Sequence, residues 1–243
     1  MAENRIKYLS WLEFDRRRKD TSLVILPSGA IEVYGPHMPL GSDIIVAEKI
    51  SQLIADRIPA IVGPSVEIGD SKALSAFPGT LVAKPENLKA IYRDICMSFV
   101  EWGFKRILFM NSHLGNIPPL NQLAEELEYD LGIRCGAVPW WQFIPSVSED
   151  ILETKNPHAH ASEAGTSVLL FLAPEYVDMS QAKSVPPSYE DKFQDIFKYL
   201  PFDVFTPNGT IGDATAGSTK KGKLIVERAV DRIVEFIKEV LLV

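Results

Sequence analysis

All four histidines of the sequence stand inside three short polar motifs, each flanked by Gly or Pro and each carrying carboxylate or amide groups. The motifs are Glu32-Val-Tyr-Gly-Pro-His37-Met-Pro-Leu-Gly-Ser-Asp43, Asn111-Ser-His113-Leu-Gly-Asn116 and His158-Ala-His160-Ala-Ser-Glu163. Imidazole is the commonest metal ligand and the side chain whose charge changes near neutral pH, so this concentration points to one shared site and to a metal-dependent enzyme. Glu32, Asp43 and His113 offer two carboxylates and an imidazole, enough to hold a divalent ion while leaving positions for water and substrate. Such an ion lowers the pKa of a bound water to about 7 and polarises a carbonyl oxygen. Taken singly, Asp43 reads as a helix N-cap, Glu32 as a solvated loop residue and His160 as a helix-start histidine bonded to backbone. Glu163 follows His160 by three residues, which on a helix places both on one side, able to orient the imidazole or reach the ion.

The elements that must position these groups alternate strand and helix. Leu23 to Leu26 is a buried strand closed by Pro27-Ser-Gly29, and the first motif hangs off that loop. A helix follows from Asp43, with Ile44, Ala47, Ile50, Ile54 and Ile58 at helical spacing. Ile61, Val62 and Val66 form a second strand region. A helix starting near Pro85 ends at Gly103, and the strand Arg106 to Met110 delivers the second motif. Ile117 to Leu131 is helical, Ile133 to Val138 is a strand, and the helix Ala161 to Leu172 carries the third motif at its start. This alternation implies a parallel sheet with crossover helices, in which ligands bind beyond the carboxyl ends of the strands. Residues 174–219 break the pattern and read as a long Pro-rich excursion packed on the surface or on a neighbouring subunit. Tyr189, Phe193, Phe197, Tyr199, Phe202 and Phe205 make it too aromatic for a tether. Lys220 to Val243 closes a single domain over 1–243 as an amphipathic helix.

Of the 243 residues, 46% are hydrophobic and 23% charged, which suits one substantial core. A net charge of -7 disfavours a nucleic-acid partner, because the one basic run, Arg16 to Lys19, is short and reads as a solvated helix end. Two cysteines, Cys96 and Cys135, read as core thiols. No run approaches the ~20 apolar residues of a membrane span, and the N-terminus has no signal-like stretch, so a soluble cytoplasmic protein is expected.

The motifs resemble those of the creatininase (creatinine amidohydrolase) family, which shows Gly-x-x-Glu-x-His-Gly-x-His-x-Pro with an Asp beyond, then Asn-Gly-His, then His-Ala-Gly-x-x-Glu-Thr-Ser. Here these correspond to Gly29 through Pro39 with Asp43, to Asn111-Ser112-His113, and to His160 through Ser167. Phe77-Pro-Gly-Thr80 and Gly209 to Asp213 with Lys221-Gly222 extend the resemblance over essentially the whole chain. The resemblance implies a three-layer α/β/α sandwich with a mostly parallel sheet, often assembled as a hexamer, and a Zn, Mn or Fe site hydrolysing cyclic amides, formamides or related C–N bonds. It also implies that His160 transfers the proton to the leaving group and that Trp141 covers the substrate.

The chain departs from the family at Tyr34, where a second-metal histidine is usual, at Gly165, where a glutamate is usual, and at Gly115, where the family's namesake enzyme has a glutamate. The first metal subsite (Glu32, Asp43, His113) is complete and the second is stripped. Three readings follow: a mononuclear enzyme, a second ion recaptured by Glu163 or His37, or a protein without catalysis. The expected function is hydrolysis of a small cyclic amide, formamide, lactone or cyclic ketone with one divalent ion per subunit, Zn before Mn or Fe. In it His160, Glu163 and Tyr34 act on the reaction, and Trp141 and His37 contact the substrate. A small-molecule-binding or regulatory protein with a vestigial metal site is the alternative. Creatinine itself is not the expected substrate.

Overall fold

The computed structural model describes residues 3–188, 192, 193, 196 and 198–243. Its centre is a parallel sheet of order β2-β1-β3-β4, formed by β1 (Leu23–Ser28), β2 (Ile61–Val62), β3 (Arg106–Asn111) and β4 (Arg134–Pro139). Every residue of β1 is buried, as a parallel strand covered on both faces requires. Successive side chains point to opposite faces of the sheet, which divides the core in two. Leu23, Ile25, Leu108 and Met110 pack under α2 (Ser42–Ala55), α7 (Glu163–Leu172) and α8 (Thr219–Phe236). Val24, Leu26, Ile107 and Phe109 pack under α3 (Pro85–Glu101) and α4 (Ile117–Leu131), with Phe14 of α1 (Trp11–Arg17) set against Phe99 and Phe104. Each fully buried side chain of this kind contributes about 1.5–3 kcal/mol, so the three layers of the expected sandwich are held from both sides of the sheet.

Several local expectations change. The second strand is two residues long, with Val66 joined to Ser28 only by an isolated bridge. After β4 the chain turns into two single-turn helices, α5 (Trp140–Phe143) and α6 (Pro145–Ser148). The C-terminal helix passes into a π-helix over Ile237–Leu241. The described part of 174–219 contains a small antiparallel pair, β5 (Ser184–Val185) and β6 (Gly212–Asp213). Tyr189 and Phe197 lie outside the described residues.

Asp43 is not the N-cap of α2. The helix opens at Ser42 behind Gly41, and Asp43 sits in its first turn with its side chain turned away from the helix end. The approach of strand to helix explains this placement. A Cβ on Gly29 would lie 2.6 Å from the backbone nitrogen of Ile44, so a glycine there lets the end of β1 abut the first turn of α2. That contact carries Asp43 to the carboxyl edge of the sheet.

Candidate metal centre and active site

Glu32, Asp43 and His113 converge beyond the ends of β1 and β3, all buried, with one ligand atom from each within 4.8 Å of the others. His113 Nδ1 faces both acids, 3.1 Å from Asp43 Oδ2 and 3.3 Å from Glu32 Oε2. Its Nε2 lies 3.0 Å from the backbone oxygen of Asp70, which can only accept, so that nitrogen carries a proton and Nδ1 is the one aimed at the acids. A backbone carbonyl behind the imidazole is the outer-sphere support that metal-ligating histidines use. Glu32 Oε2 accepts a 2.5 Å hydrogen bond from Ser71 Oγ, and Asp43 Oδ1 accepts from Trp141 Nε1 at 2.9 Å. Two carboxylates and one correctly oriented imidazole, each with a second hydrogen bond fixing it, fit a divalent cation.

The charges behave as a compensated cluster. Burial pushes Asp43 up, helped by the neighbouring Glu32 charge, to about 7. Burial also opposes ionisation of Glu32 and of His113. In both it is outweighed, because the imidazolium beside Glu32 holds that carboxyl low and the two acids hold the His113 proton well above its usual range.

The second motif builds this geometry locally. Asn111 brackets His113 by donating to its carbonyl and accepting from its amide. Asn116 accepts from Asp70 N and donates to Ser28 Oγ and Gly29 O, pinning three loops together. Ser71 does not stand out in the sequence, and Asn116 does so only as the last residue of the second motif, with no role assigned. A serine beside Asp70 has no spacing signal, and an asparagine at a helix start reads first as a cap.

The cluster forms the floor of a cavity of about 280 Å³ whose walls include Tyr34, Trp141, His158, His160 and Phe202. Trp141 and Tyr34 pack with ring centres 5.8 Å apart, Tyr34 and His160 at 4.5 Å, and His160 and Phe202 at 4.8 Å. Phe202, from the long excursion, thus covers the deep histidine from above. His160 lies in the turn before α7, next to Ala161, the non-glycine residue of positive φ (54°) among the described residues. Its Nε2 donates to Val33 O at 2.9 Å, and burial lowers its pKa, so the ring is neutral with Nδ1 unprotonated. Burial raises the Tyr34 phenol well above its usual value, and no hydrogen bond engages that hydroxyl among the described residues.

Two expected site residues lie elsewhere. Glu163 is fully buried but turns from His160 toward Lys221 Nζ, 2.6 Å away, and accepts from the amides of Glu153 and Thr154. It fastens the loop that carries the histidines, because His160 precedes the helix and the three-residue spacing does not align them. His37 does not line the cavity. Its Nε2 is 2.8 Å from Thr166 Oγ1 inside the protein, with Asp178 N donating to its carbonyl. Neither residue is placed to recapture a second ion.

Of the two glycines standing where the resemblance places acids, Gly115 is a closed position and Gly165 a tight one. A Cβ on Gly115 would lie 2.1 Å from Asp70 O, a backbone atom held by Asn116 and His113. A Cβ on Gly165 would lie 3.2 Å from Tyr34 Cε1 and 3.3 Å from its hydroxyl. The phenol therefore stands against the face of α7 from which a side chain at 165 would project.

The creatininase (creatinine amidohydrolase) family model matches residues 7–237. Creatinine amidohydrolase of Pseudomonas putida is 28% identical, with 95% of each chain covered. A mycofactocin precursor peptide peptidase of Mycobacterium ulcerans (strain Agy99) is 27% identical over 86% of this chain and 81% of its own, and a 3-dehydro-scyllo-inosose hydrolase of Thermotoga maritima is 24% identical over 93% and 79%. Among solved structures, a manganese creatininase and a Zn–Zn creatininase variant each superpose with a TM-score of 0.84 at 25% identity, covering 98% of both chains. These relatives are hydrolases, and with the match running through all three histidine motifs and the sheet that presents them, the chain belongs to the creatininase family.

Proposed function

We propose that the protein is a hydrolase that holds one divalent cation at Glu32, Asp43 and His113 and opens a small cyclic amide, formamide, lactone or cyclic ketone. The observation that carries this reading is that the three ligands form the floor of the same cavity into which the neutral His160 and the unbonded Tyr34 hydroxyl face. The cation, when bound, supplies acidification of a water and polarisation of the scissile carbonyl. His160 takes the water's proton on Nδ1, since its Nε2 proton is committed to Val33 O, and returns it to the departing nitrogen or carbon. The water oxygen bonds to the carbonyl carbon as the C–N, C–O or C–C bond breaks, giving an acid and a protonated leaving group. Tyr34 donates to the oxygen on which negative charge develops. Trp141 fixes Asp43 through its indole N–H and offers its face as a wall for a flat substrate.

One cation per subunit is supported by the closed position at Gly115, the Tyr34 ring packed against Gly165 and the distant placement of Glu163 and His37. Zn is the first candidate, with Mn and Fe next, because carboxylate and imidazole donors suit all three. Protein purified without chelator should carry about one equivalent of one of these metals, gain thermal stability on Zn or Mn addition, and hydrolyse a member of a panel of lactams, formamides, lactones and cyclic diketones. Less than about a tenth of an equivalent with no thermal shift would favour the small-molecule-binding or regulatory reading.

The protein is also read as a homo-oligomer, a hexamer as the resemblance implies. Large apolar side chains left exposed on the excursion, among them Tyr176, Tyr199 and Leu200, support this reading as surface that a second copy could cover. Sedimentation is expected to give a multiple of the 27.1 kDa chain at micromolar concentration, and a single-chain species there would refute it.

A further inference from the structure

The turn that presents His160 to the cavity is strained. Ala161 adopts φ 54°, a left-handed conformation that costs an alanine more than a glycine, and its methyl group is fully buried. Such a conformation persists only where the surroundings over-determine it. Upstream, His160 is tied at two points, its carbonyl accepting from Ile211 N and its Nε2 donating to Val33 O, both at 2.9 Å. Downstream, the tie is electrostatic. The Glu163 carboxylate, sealed from water, lies 2.6 Å from Lys221 Nζ. It also accepts from the amides of Glu153 and Thr154, at the far end of the loop, at 3.1 Å and 2.9 Å. Burial opposes ionisation of Glu163 and is outweighed by the Lys221 ammonium and those amides. Lys221 Nζ further meets Glu153 Oε2 and Ala216 O, each at 3.1 Å, so its three protons all have acceptors. One ammonium thus joins the first turn of α8 to both ends of the loop 153–163. Charge-assisted bonds of this kind are about twice as strong as the neutral ones that Ser162 Oγ makes to Asn156 O and Asp213 N.

We propose that Glu163 and Lys221 are positioning residues, whose ion pair holds Ala161 in its left-handed conformation and thereby keeps His160 in place on the cavity wall. The inference rests on the hydrolase reading only for the task of His160. The pair acts on the reaction through the backbone of the turn and touches neither the cluster nor the substrate.

Hydrogen exchange of the full-length protein, read by mass spectrometry at the amides and at the imidazole C2–H, tests this. Lys221→Met should speed exchange at Glu153, Thr154 and the His160 ring by roughly 10- to 100-fold, and leave the amides of β1 and β3 unchanged. Lys221→Arg, which keeps the cation, should stay close to wild type. Ala161→Gly in the Lys221→Met background removes the strain and should return the His160 ring to near its wild-type rate. Should Lys221→Met fail to fold, the double variant Glu163→Gln with Lys221→Met, which leaves no unpaired buried charge, carries the same comparison. Equal acceleration in the loop and in the sheet would make the pair a general stabiliser and overturn the proposal. So would unchanged exchange at His160, or no recovery with Ala161→Gly. Any substrate found in the panel above should show a lower kcat in Lys221→Met with KM little changed. A panel that yields no substrate counts against the hydrolase reading, and the exchange rates still decide the role of the pair.

Discussion

Replacing His113 with alanine is expected to abolish cation retention and to reduce turnover by more than the roughly 100-fold that follows loss of an outer-sphere partner. His113 is the one nitrogen donor of the cluster, and its Nδ1 approaches both carboxylates within 3.3 Å. Without it, two buried acids face each other. Breaking a buried ion pair by removing one partner costs about 3–5 kcal/mol when the other stays charged. Asp43 avoids most of that cost, because burial and the Glu32 charge already hold its pKa near 7, and without the imidazole it keeps a proton at neutral pH. The variant should therefore fold, with a near-wild-type circular dichroism spectrum, and contain no metal by elemental analysis. Full metal occupancy in this variant would sink the ligand assignment.

Tyr34→Phe is expected to lower turnover by a factor on the order of 100 while leaving the metal content unchanged, the effect of removing one well-placed donor to a developing oxyanion. Phenylalanine keeps the ring contacts with Trp141 and His160, so stability should move little. The phenol is suited to this task because burial keeps it protonated and no protein group uses its hydroxyl among the described residues. A variant that loses metal together with activity would instead make Tyr34 part of the cation's shell. Unchanged turnover would remove it from the reaction.

The sequence made the fold legible because its periodicities are clean. Pro85, Gly103 and Gly132 punctuate helices where the structure ends them, and the apolar runs at Leu23 and Ile107 form the central strands. The convergence of Glu32, Asp43 and His113 was legible because histidines are few and these motifs lie at strand ends. Glu163 and His37 read wrongly for a common reason. Spacing along the chain says which side chains can share a face, but the turn at Ala161 resets the helical phase between His160 and Glu163, and buried partners such as Lys221 and Thr166 come from segments that no local pattern links to them. Ser71 carries no sequence signal, and the roles of Asn116 and Phe202 arise only when loops from separate strands meet.

The three side chains reach the cluster from segments far apart along the chain, Asp43 and His113 alone standing 70 positions apart. The cavity above them is completed by His160 and then by Phe202. A ribosome-bound chain that has released only its first hundred residues holds two of the three ligands and no closed cavity. Contacts of such long range form late in folding. If the three residues hold a cation as proposed, loading is therefore expected to be the final step of maturation, after the sheet has paired.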